Sequence, residues 1–111
     1  MANPSKQKGT AWETAVVNWL NNWWPHVERR TLTGSADKGD IAGLVGVVIE
    51  CKNHKTHQLA KWTDELNAEM ANANADLGVL AIKRHGKAHP QDAYYLITGQ
   101  TLIRLLEEWT K

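Results

Sequence analysis

Apolar residues near the start of the chain recur at spacings of three and four, which is the pattern of an amphipathic helix that packs on a core. Thr10 and Glu13 form a T-x-x-E capping box at the start of this helix, and Pro25 ends it. We therefore expect residues 1–9 to form a flexible basic arm and residues 10–111 to form a single domain. The apolar stripe of the first helix consists of Trp12, Ala15, Val16, Trp19, Leu20 and Trp23.

Two further segments show the same helical spacing of apolar residues. One covers residues 57–75, and the other follows Thr98, whose side chain can cap a helix. The sequence therefore predicts three helices. Their stripes are Leu59, Trp62, Leu66, Met70 and Ala73 in the middle helix, and Leu102, Leu105, Leu106 and Trp109 in the last.

Tryptophan is the dominant large aromatic residue of the chain, with six tryptophans and no phenylalanine. We expect most of these side chains to be core anchors of a small domain, because each can bury a large apolar area. Trp24 lies off the helical stripe, and we expect it to form a surface contact.

Runs with the composition of strands separate the helices. We predict strands at residues 26–32, 40–43, 46–52, 79–82 and 93–97, and we interpret the second and third as an antiparallel hairpin around the turn from Gly43 to Gly46. The order α-β-β-β-α-β-β-α predicts an α/β fold in which helices flank a mixed central sheet.

Length, cysteine content and charge narrow the class of protein. A chain of 111 residues suits one domain, and the single cysteine, Cys51, leaves no intramolecular disulfide, which favours a reducing compartment. No apolar run approaches the roughly 20 residues of a membrane span, so we expect no membrane association and a cytoplasmic, intracellular location. The formal net charge of +1 favours neither an acidic nor a basic partner.

Two charged residues interrupt the apolar run at residues 46–52. Side chains alternate along a strand, so Glu50 and Lys52 share one face while Cys51 points to the other. In the predicted hairpin, Asp40 starts the neighbouring strand close to Glu50. Two adjacent carboxylates favour a divalent cation, which predicts a Mg²⁺ or Mn²⁺ site. The alternative is a solvent-facing ion pair between Glu50 and Lys52, with Asp40 as a turn residue.

The order of several short motifs is specific. The chain contains Lys8-Gly9-Thr10-Ala11-Trp12-Glu13, then Arg29 and Arg30, Gly34-Ser35, Asp40-Ile41 and Glu50-Cys51-Lys52. This arrangement resembles the PD-(D/E)XK nuclease superfamily and, more narrowly, archaeal-type Holliday junction resolvases. The resemblance implies a restriction-endonuclease-like αβββαβ core in a single nuclease domain.

The resemblance also implies a catalytic site. Asp40 and Glu50 would bind Mg²⁺, for which Mn²⁺ can substitute, with help from the backbone carbonyl of Cys51. Lys52 would orient the attacking water. Glu13 would add an outer carboxylate that is both a catalytic candidate and a possible metal ligand, although the capping box alone already accounts for this residue.

A basic surface would suit a DNA substrate. If Glu13, Asp40 and Glu50 bind metal, nine acidic residues remain against thirteen basic ones, so the rest of the surface carries about +4. One of the adjacent residues Arg29 and Arg30 must face the active side, because adjacent strand residues point in opposite directions. The candidate DNA-binding residues are Lys8, Arg29, Arg30, Ser35, Lys38, Lys55, Lys83 and Arg84.

A zinc site is a weaker alternative. Cys51, His54 and His57 have the spacing C-x₂-H-x₂-H, but a structural zinc site needs four ligands and the thiol is expected to face the core. His85 and His89 could add ligands only from a loop.

Three functions follow, in order of preference. The first is a Mg²⁺-dependent, structure-selective DNA endonuclease of DNA recombination and repair, with a Holliday junction resolvase as the leading hypothesis and four-way junctions as the branched DNA. The second is another PD-(D/E)XK nuclease, of nicking or repair type, that acts on branched or duplex DNA. The third is a nucleic-acid-binding module without catalysis. Because resolution requires paired nicks, the first function implies a homodimer.

Overall fold

A computed structural model gives the fold and describes residues 3–31 and 36–111, without the side chains of Pro4 and Ser5. The described residues form three α-helices, five strands and a 3₁₀ turn, and they make an α/β domain. The elements are α1 (Pro4–Leu20), β1 (Glu28–Arg29), β2 (Ile41–Ala42), β3 (Val47–Lys52), α2 (Leu59–Ala73), β4 (Leu77–Ile82), the 3₁₀ turn (Pro90–Asp92), β5 (Tyr94–Ile97) and α3 (Gly99–Trp109).

The central sheet is mixed, as the sequence predicts. Its order is β3-β4-β5, in which β3 and β4 are parallel and β5 is antiparallel to β4. Helix α2 makes the crossover that a parallel pair requires. Strands β1 and β2 form a separate antiparallel ribbon. Parallel pairing brings the carboxyl ends of β3 and β4 to the same edge of the sheet.

Two apolar layers cover the sheet, one on each face. The layer under α1 contains Trp12 and Val16 packed with Ile49, and Trp12 Nε1 donates a hydrogen bond of 3.0 Å to the backbone oxygen of Ala81. The layer under α2 contains Val48, Trp62, Leu66, Met70, Leu80 and Ile82. Alternation along β3 therefore sends the side chain of Glu50 to the α2 layer.

The first helix starts earlier than the sequence analysis predicts, so the predicted start at Thr10 is wrong. Helix α1 begins at Pro4, and Asn3 Oδ1 accepts the backbone N–H of Lys6 at 3.4 Å. Asparagine before a proline at the first helical position is a favourable helix start. The segment expected to be a flexible arm is helical from Pro4, and Glu13 lies inside the helix, where it caps nothing.

The predicted hairpin of residues 40–43 and 46–52 is also wrong in detail. The ladder partner of β2 is β1, and the link between Asp40 and β3 is a hydrogen bond of 3.0 Å from the Asp40 N–H to the Ile49 oxygen. Gly43 and Gly46 take positive φ values of 106° and 78°, which turn the chain away from a regular ladder. Asp40 nevertheless lies beside β3.

Two of the six tryptophans are buried, so the expectation that most of them are core anchors is wrong. Trp12 and Trp62 are 2% and 3% exposed and are core anchors, whereas Trp109 at the end of α3 is 88% exposed. Trp23 is 59% exposed, because α1 ends at Leu20 and the helical spacing does not continue to it. Trp24 is 45% exposed, as expected of a surface residue.

Helix α3 is capped by Thr98, as predicted, but its apolar stripe is exposed. Its one buried residue is Thr101, whose hydroxyl oxygen accepts the backbone N–H of Gly78 in β4 at 3.1 Å. No helix in the described part of the chain is long and apolar enough to cross a membrane.

Thr101 should dominate the attachment of α3 to the sheet. Thr101→Val keeps the shape but leaves the N–H of Gly78 without an acceptor, which costs about 1 to 3 kcal/mol of unfolding free energy in chemical denaturation. The matched control is Thr110→Val at the exposed C-terminal end of α3, where the hydroxyl donates only a solvent-exposed hydrogen bond of 2.6 Å to the Leu106 oxygen, so stability should change by less than about 0.5 kcal/mol. Equal effects of the two substitutions would contradict this account.

Candidate metal centre

Glu50 is a buried carboxyl group at the end of β3, with only 6% of its surface exposed. Asp40 lies beside it, because its Oδ2 accepts the backbone N–H of Cys51 at 2.7 Å. The carboxyl group of Asp40 is within hydrogen-bonding reach of Glu50. The structure thus brings together the two carboxylates that the sequence pairs, although β2 and β3 form no regular hairpin.

Glu69 on α2 is a further acidic residue of the site that the sequence analysis does not include. It is 5% exposed and lies within hydrogen-bonding reach of Glu50. The sequence contains a signal for Glu69. It lies in the series Trp62, Leu66, Glu69, Ala73, whose successive spacings are four, three and four, so it is a carboxylate on the apolar stripe of α2.

One oxygen from each of Asp37, Glu50 and Glu69 lies within 4.8 Å of the others. Glu50 Oε2 and Glu69 Oε2 are buried and have no donor among the described residues. Because a carboxyl oxygen here faces another carboxyl oxygen, a hydrogen bond between them requires that one group keep a proton. A proton or a cation must therefore occupy this position.

Burial raises the pKa of Glu50 to about 12, and the hydrogen bonds and negative charges of Asp40 and Glu69 add to the effect. Burial likewise raises the pKa of Glu69 above its ordinary value. The candidate metal ligands are hard carboxylate oxygens, and two of these oxygens are buried without a hydrogen-bond donor among the described residues. These residues fit a divalent cation such as Mg²⁺ or Mn²⁺, which would replace the proton.

Glu13 reaches this group from α1. Burial and the charge of Asp40 raise its pKa, and Arg29 opposes the shift, since Arg29 Nη2 lies 3.7 Å from Glu13 Oε2. We call Glu13, Asp37, Asp40, Glu50 and Glu69 the acidic cluster.

Lys52 is a second cation beside the acidic cluster, after Arg29. Its Nζ donates to Glu65 Oε2 at 3.0 Å and lies 5.6 Å from the centre of the Trp62 ring. Burial acts to lower the pKa of Lys52, but the hydrogen bond to Glu65 and the nearby carboxylates outweigh it and raise the pKa. Lys52 is therefore charged at neutral pH. Glu65, like Glu69 and Asp37, is a residue of the site that the sequence analysis does not include.

Cys51 points to the opposite face, as predicted, and packs against the α1 layer. Burial raises the pKa of its thiol, so it stays protonated. The rings of His54 and His57 lie 5.3 Å and 5.9 Å from that of Trp62. In the described part of the chain, these three residues do not converge on a metal position, so the geometry does not support the zinc alternative.

The candidate DNA-binding residues divide into separate groups. Arg29 is paired with Glu13, Arg30 and Lys38 line a second pocket, and Ser35 lies outside the described residues. The remaining four converge on one groove of about 530 Å³, which we call the basic groove. It is lined by Lys8, Lys55, Lys83 and Arg84 together with Asn53, His54, His57, His85, Gly86 and Tyr94.

Comparisons with family models, with curated proteins and with solved structures found no match. The acidic cluster and the basic groove are therefore the features of this chain from which a function can be inferred.

The metal-free protein should lose stability as the pH rises. Because the pKa of Glu50 is raised, the folded chain keeps a proton that the unfolded chain releases above about pH 4.5, so this contribution is complete below that pH and decreases above it. We expect the melting temperature to fall between about pH 5.5 and pH 8.5. Glu50→Gln should flatten the decrease and add on the order of 1 to 3 kcal/mol at the higher pH.

Mg²⁺ or Ca²⁺ should oppose this loss, because the cation competes with the proton. Each should raise the melting temperature more at about pH 8.5 than at about pH 5.5, and Glu50→Gln should abolish the effect. The control is Glu107→Gln, on the exposed side of α3. Calorimetry that shows stability rising with pH in the metal-free protein would contradict the assignment.

Proposed function

We propose that this chain is a Mg²⁺-dependent, structure-selective DNA endonuclease with a restriction-endonuclease-like core, and that a Holliday junction resolvase is the leading form of this activity. One observation carries the proposal. Asp40 and the buried Glu50 lie side by side at the end of β3, with the cationic Lys52 two residues further along the same face. This combination suits hydrolysis of a phosphodiester bond.

The residues divide the chemistry among them. Asp40 and Glu50 would hold the metal, with Glu69 and Asp37 as further oxygen donors, and the Cys51 N–H keeps Asp40 in position. When bound, the cation would polarise the phosphate and stabilise the leaving oxygen. Lys52, oriented by Glu65, supplies positive charge for the phosphate and for the attacking water.

The basic groove favours nucleic acid over a small phosphate ester as the substrate. Four cations line it, which is more than one phosphate needs for its charge, and the groove begins one residue after Lys52. Contacts with several phosphates are the usual origin of affinity for nucleic acids. We accordingly propose an intracellular enzyme that associates with DNA.

Two other functions share parts of this site. A PD-(D/E)XK nuclease of nicking or repair type would use the same acidic cluster on other branched or duplex DNA. A nucleic-acid-binding module would use the basic groove alone. The first differs from the leading proposal in substrate preference, and the second in the absence of cleavage.

Removal of either central carboxylate should abolish cleavage. We expect Asp40→Asn and Glu50→Gln each to lower the Mg²⁺-dependent cleavage rate by roughly a hundred-fold or more, with DNA binding unchanged or stronger because a negative charge is lost. Labelled four-way junctions, flaps and linear duplexes report both the rate and the preferred structure. Glu107→Gln is the control, and wild-type cleavage rates in either site variant would refute the site.

The predicted homodimer has a candidate surface in the exposed stripe of α3, which includes Leu102, Leu106 and Trp109. Paired nicks in a junction need two active sites, and the described part of this chain has one acidic cluster. We expect sedimentation equilibrium at micromolar concentration to give a dimer. Leu106→Asp should give a folded monomer that still cuts one strand of a junction but does not make paired nicks. A wild-type monomer, both free and bound to a junction, would exclude the resolvase and leave the nicking nuclease.

A further inference from the structure

Four positive side chains from distant parts of the sequence meet in the basic groove. Lys8 comes from α1, Lys55 from the loop after β3, and Lys83 and Arg84 from the loop after β4. The residues lining the groove include no aspartate or glutamate. None of the four cations forms an ion pair in the part of the chain that the structure describes. Their charge is therefore available to an anionic ligand.

One backbone hydrogen bond and one side-chain hydrogen bond link the walls of the groove. The N–H of Lys83 donates to the Lys52 oxygen at 3.0 Å, which fixes the two loops to each other, and Asn53 Nδ2 contacts the Lys8 oxygen at 3.5 Å. The groove lies at the carboxyl ends of the parallel strands β3 and β4, the edge at which α/β sheets usually bind ligands. A ligand would meet a largely preformed surface.

Trp62 connects the groove to the acidic cluster. Its ring contacts Lys52 Nζ, and the rings of His54 and His57 from the groove lie against the same indole. A strand whose scissile phosphate lies beside Lys52 could therefore continue directly into the groove.

An exposed aromatic ring distinguishes this groove from a simple phosphate site. Tyr94 at the start of β5 is 52% exposed, Arg84 Cζ lies 5.3 Å from its ring centre, and the His57 ring approaches it nearly at right angles at 6.4 Å. Cations interleaved with open aromatic rings are typical of proteins that stack unpaired bases. Inside a duplex, bases are stacked on each other and cannot reach such a ring.

We propose that the basic groove binds an unpaired stretch of DNA strand, with phosphates on Lys8, Lys55 and Lys83 and a base against Tyr94. This inference rests on the proposed function, because it names the part of the substrate that lies next to the cleaved bond. The volume of about 530 Å³ falls within the roughly 300 to 1,000 Å³ of small-ligand sites, which is room for a nucleotide or two inside the groove. Flaps and splayed arms, which offer unpaired nucleotides beside a duplex, should bind better than a linear duplex. A four-way junction would enter the groove only through strands that unpair at its centre.

Binding can be measured without cleavage in Ca²⁺, with a fluorescein-labelled single-stranded oligodeoxynucleotide and its duplex. We expect Lys55→Ala and Lys83→Ala each to weaken single-strand binding by about 3- to 10-fold and to lower the slope of log affinity against log salt by about one. The matched control is Lys61→Ala, an exposed lysine of α2 outside the groove, which should bind like the wild type.

Tyr94 tests the unpaired base separately from the charges. Tyr94→Leu should weaken single-strand binding by about 5- to 100-fold with an unchanged salt slope and little effect on the duplex, whereas Tyr94→Phe should keep wild-type affinity. Wild-type affinity in Tyr94→Leu, or an equal loss on duplex and single strand, would overturn the inference. Tighter binding of the RNA strand of the same sequence would also overturn the inference, because the proposed ligand is DNA.

Cleavage in Mg²⁺ separates this inference from the proposed function. Groove-dependent binding of single strands, together with no cleavage of junctions, flaps or duplexes, would refute the nuclease and leave the groove assignment intact. Cleavage with unchanged KM in Lys55→Ala, Lys83→Ala and Tyr94→Leu would refute the groove assignment and leave the nuclease intact.

Discussion

Glu50 places a carboxyl group at a core position that an apolar side chain would fill without a desolvation penalty. Glu50 occupies a position in the α2 layer of the core, between Val48 and the end of β3, and Glu69 faces it from the helix. Two buried carboxylates without a donor are tolerable only with a proton or a cation between them. The arrangement of β3, α2 and the Asp40 loop thus accommodates carboxyl groups that an apolar core would otherwise exclude. This is why we interpret the acidic cluster as a functional site.

The alternation of a strand and the spacing of a helix account for most of what the sequence predicts. The helical stripes predicted the bounds of α2 and α3 to within a few residues. Alternation along β3 correctly placed the side chains of Glu50 and Cys51 on opposite faces of the sheet. The start of α1 was missed, because a capping box at Thr10 competed with the shorter signal of Asn3 and Pro4. Glu69 was missed because a single charge on an apolar stripe is easily taken for a solvated neighbour.

The basic groove shows what the sequence could not supply. Its lysines were individual candidates, but nothing in their spacing indicates that four of them share one surface while Arg30 and Lys38 lie elsewhere. That grouping depends on the parallel pairing of β3 and β4, which brings two loops about thirty residues apart to one edge. Local periodicity carries no information on strand order, and only tertiary contacts decide it.

The residues of the site differ in how far apart they lie along the chain. Glu50, Lys52, Glu65 and Glu69 all belong to the continuous segment from β3 to the end of α2, so short loop closure can bring them together early in folding. Glu13 and Asp40 join from the preceding half of the chain through more distant contacts. A folding intermediate that contains only the β3-α2-β4 unit would therefore already carry part of the acidic cluster, but without the Asp40 side chain that completes it.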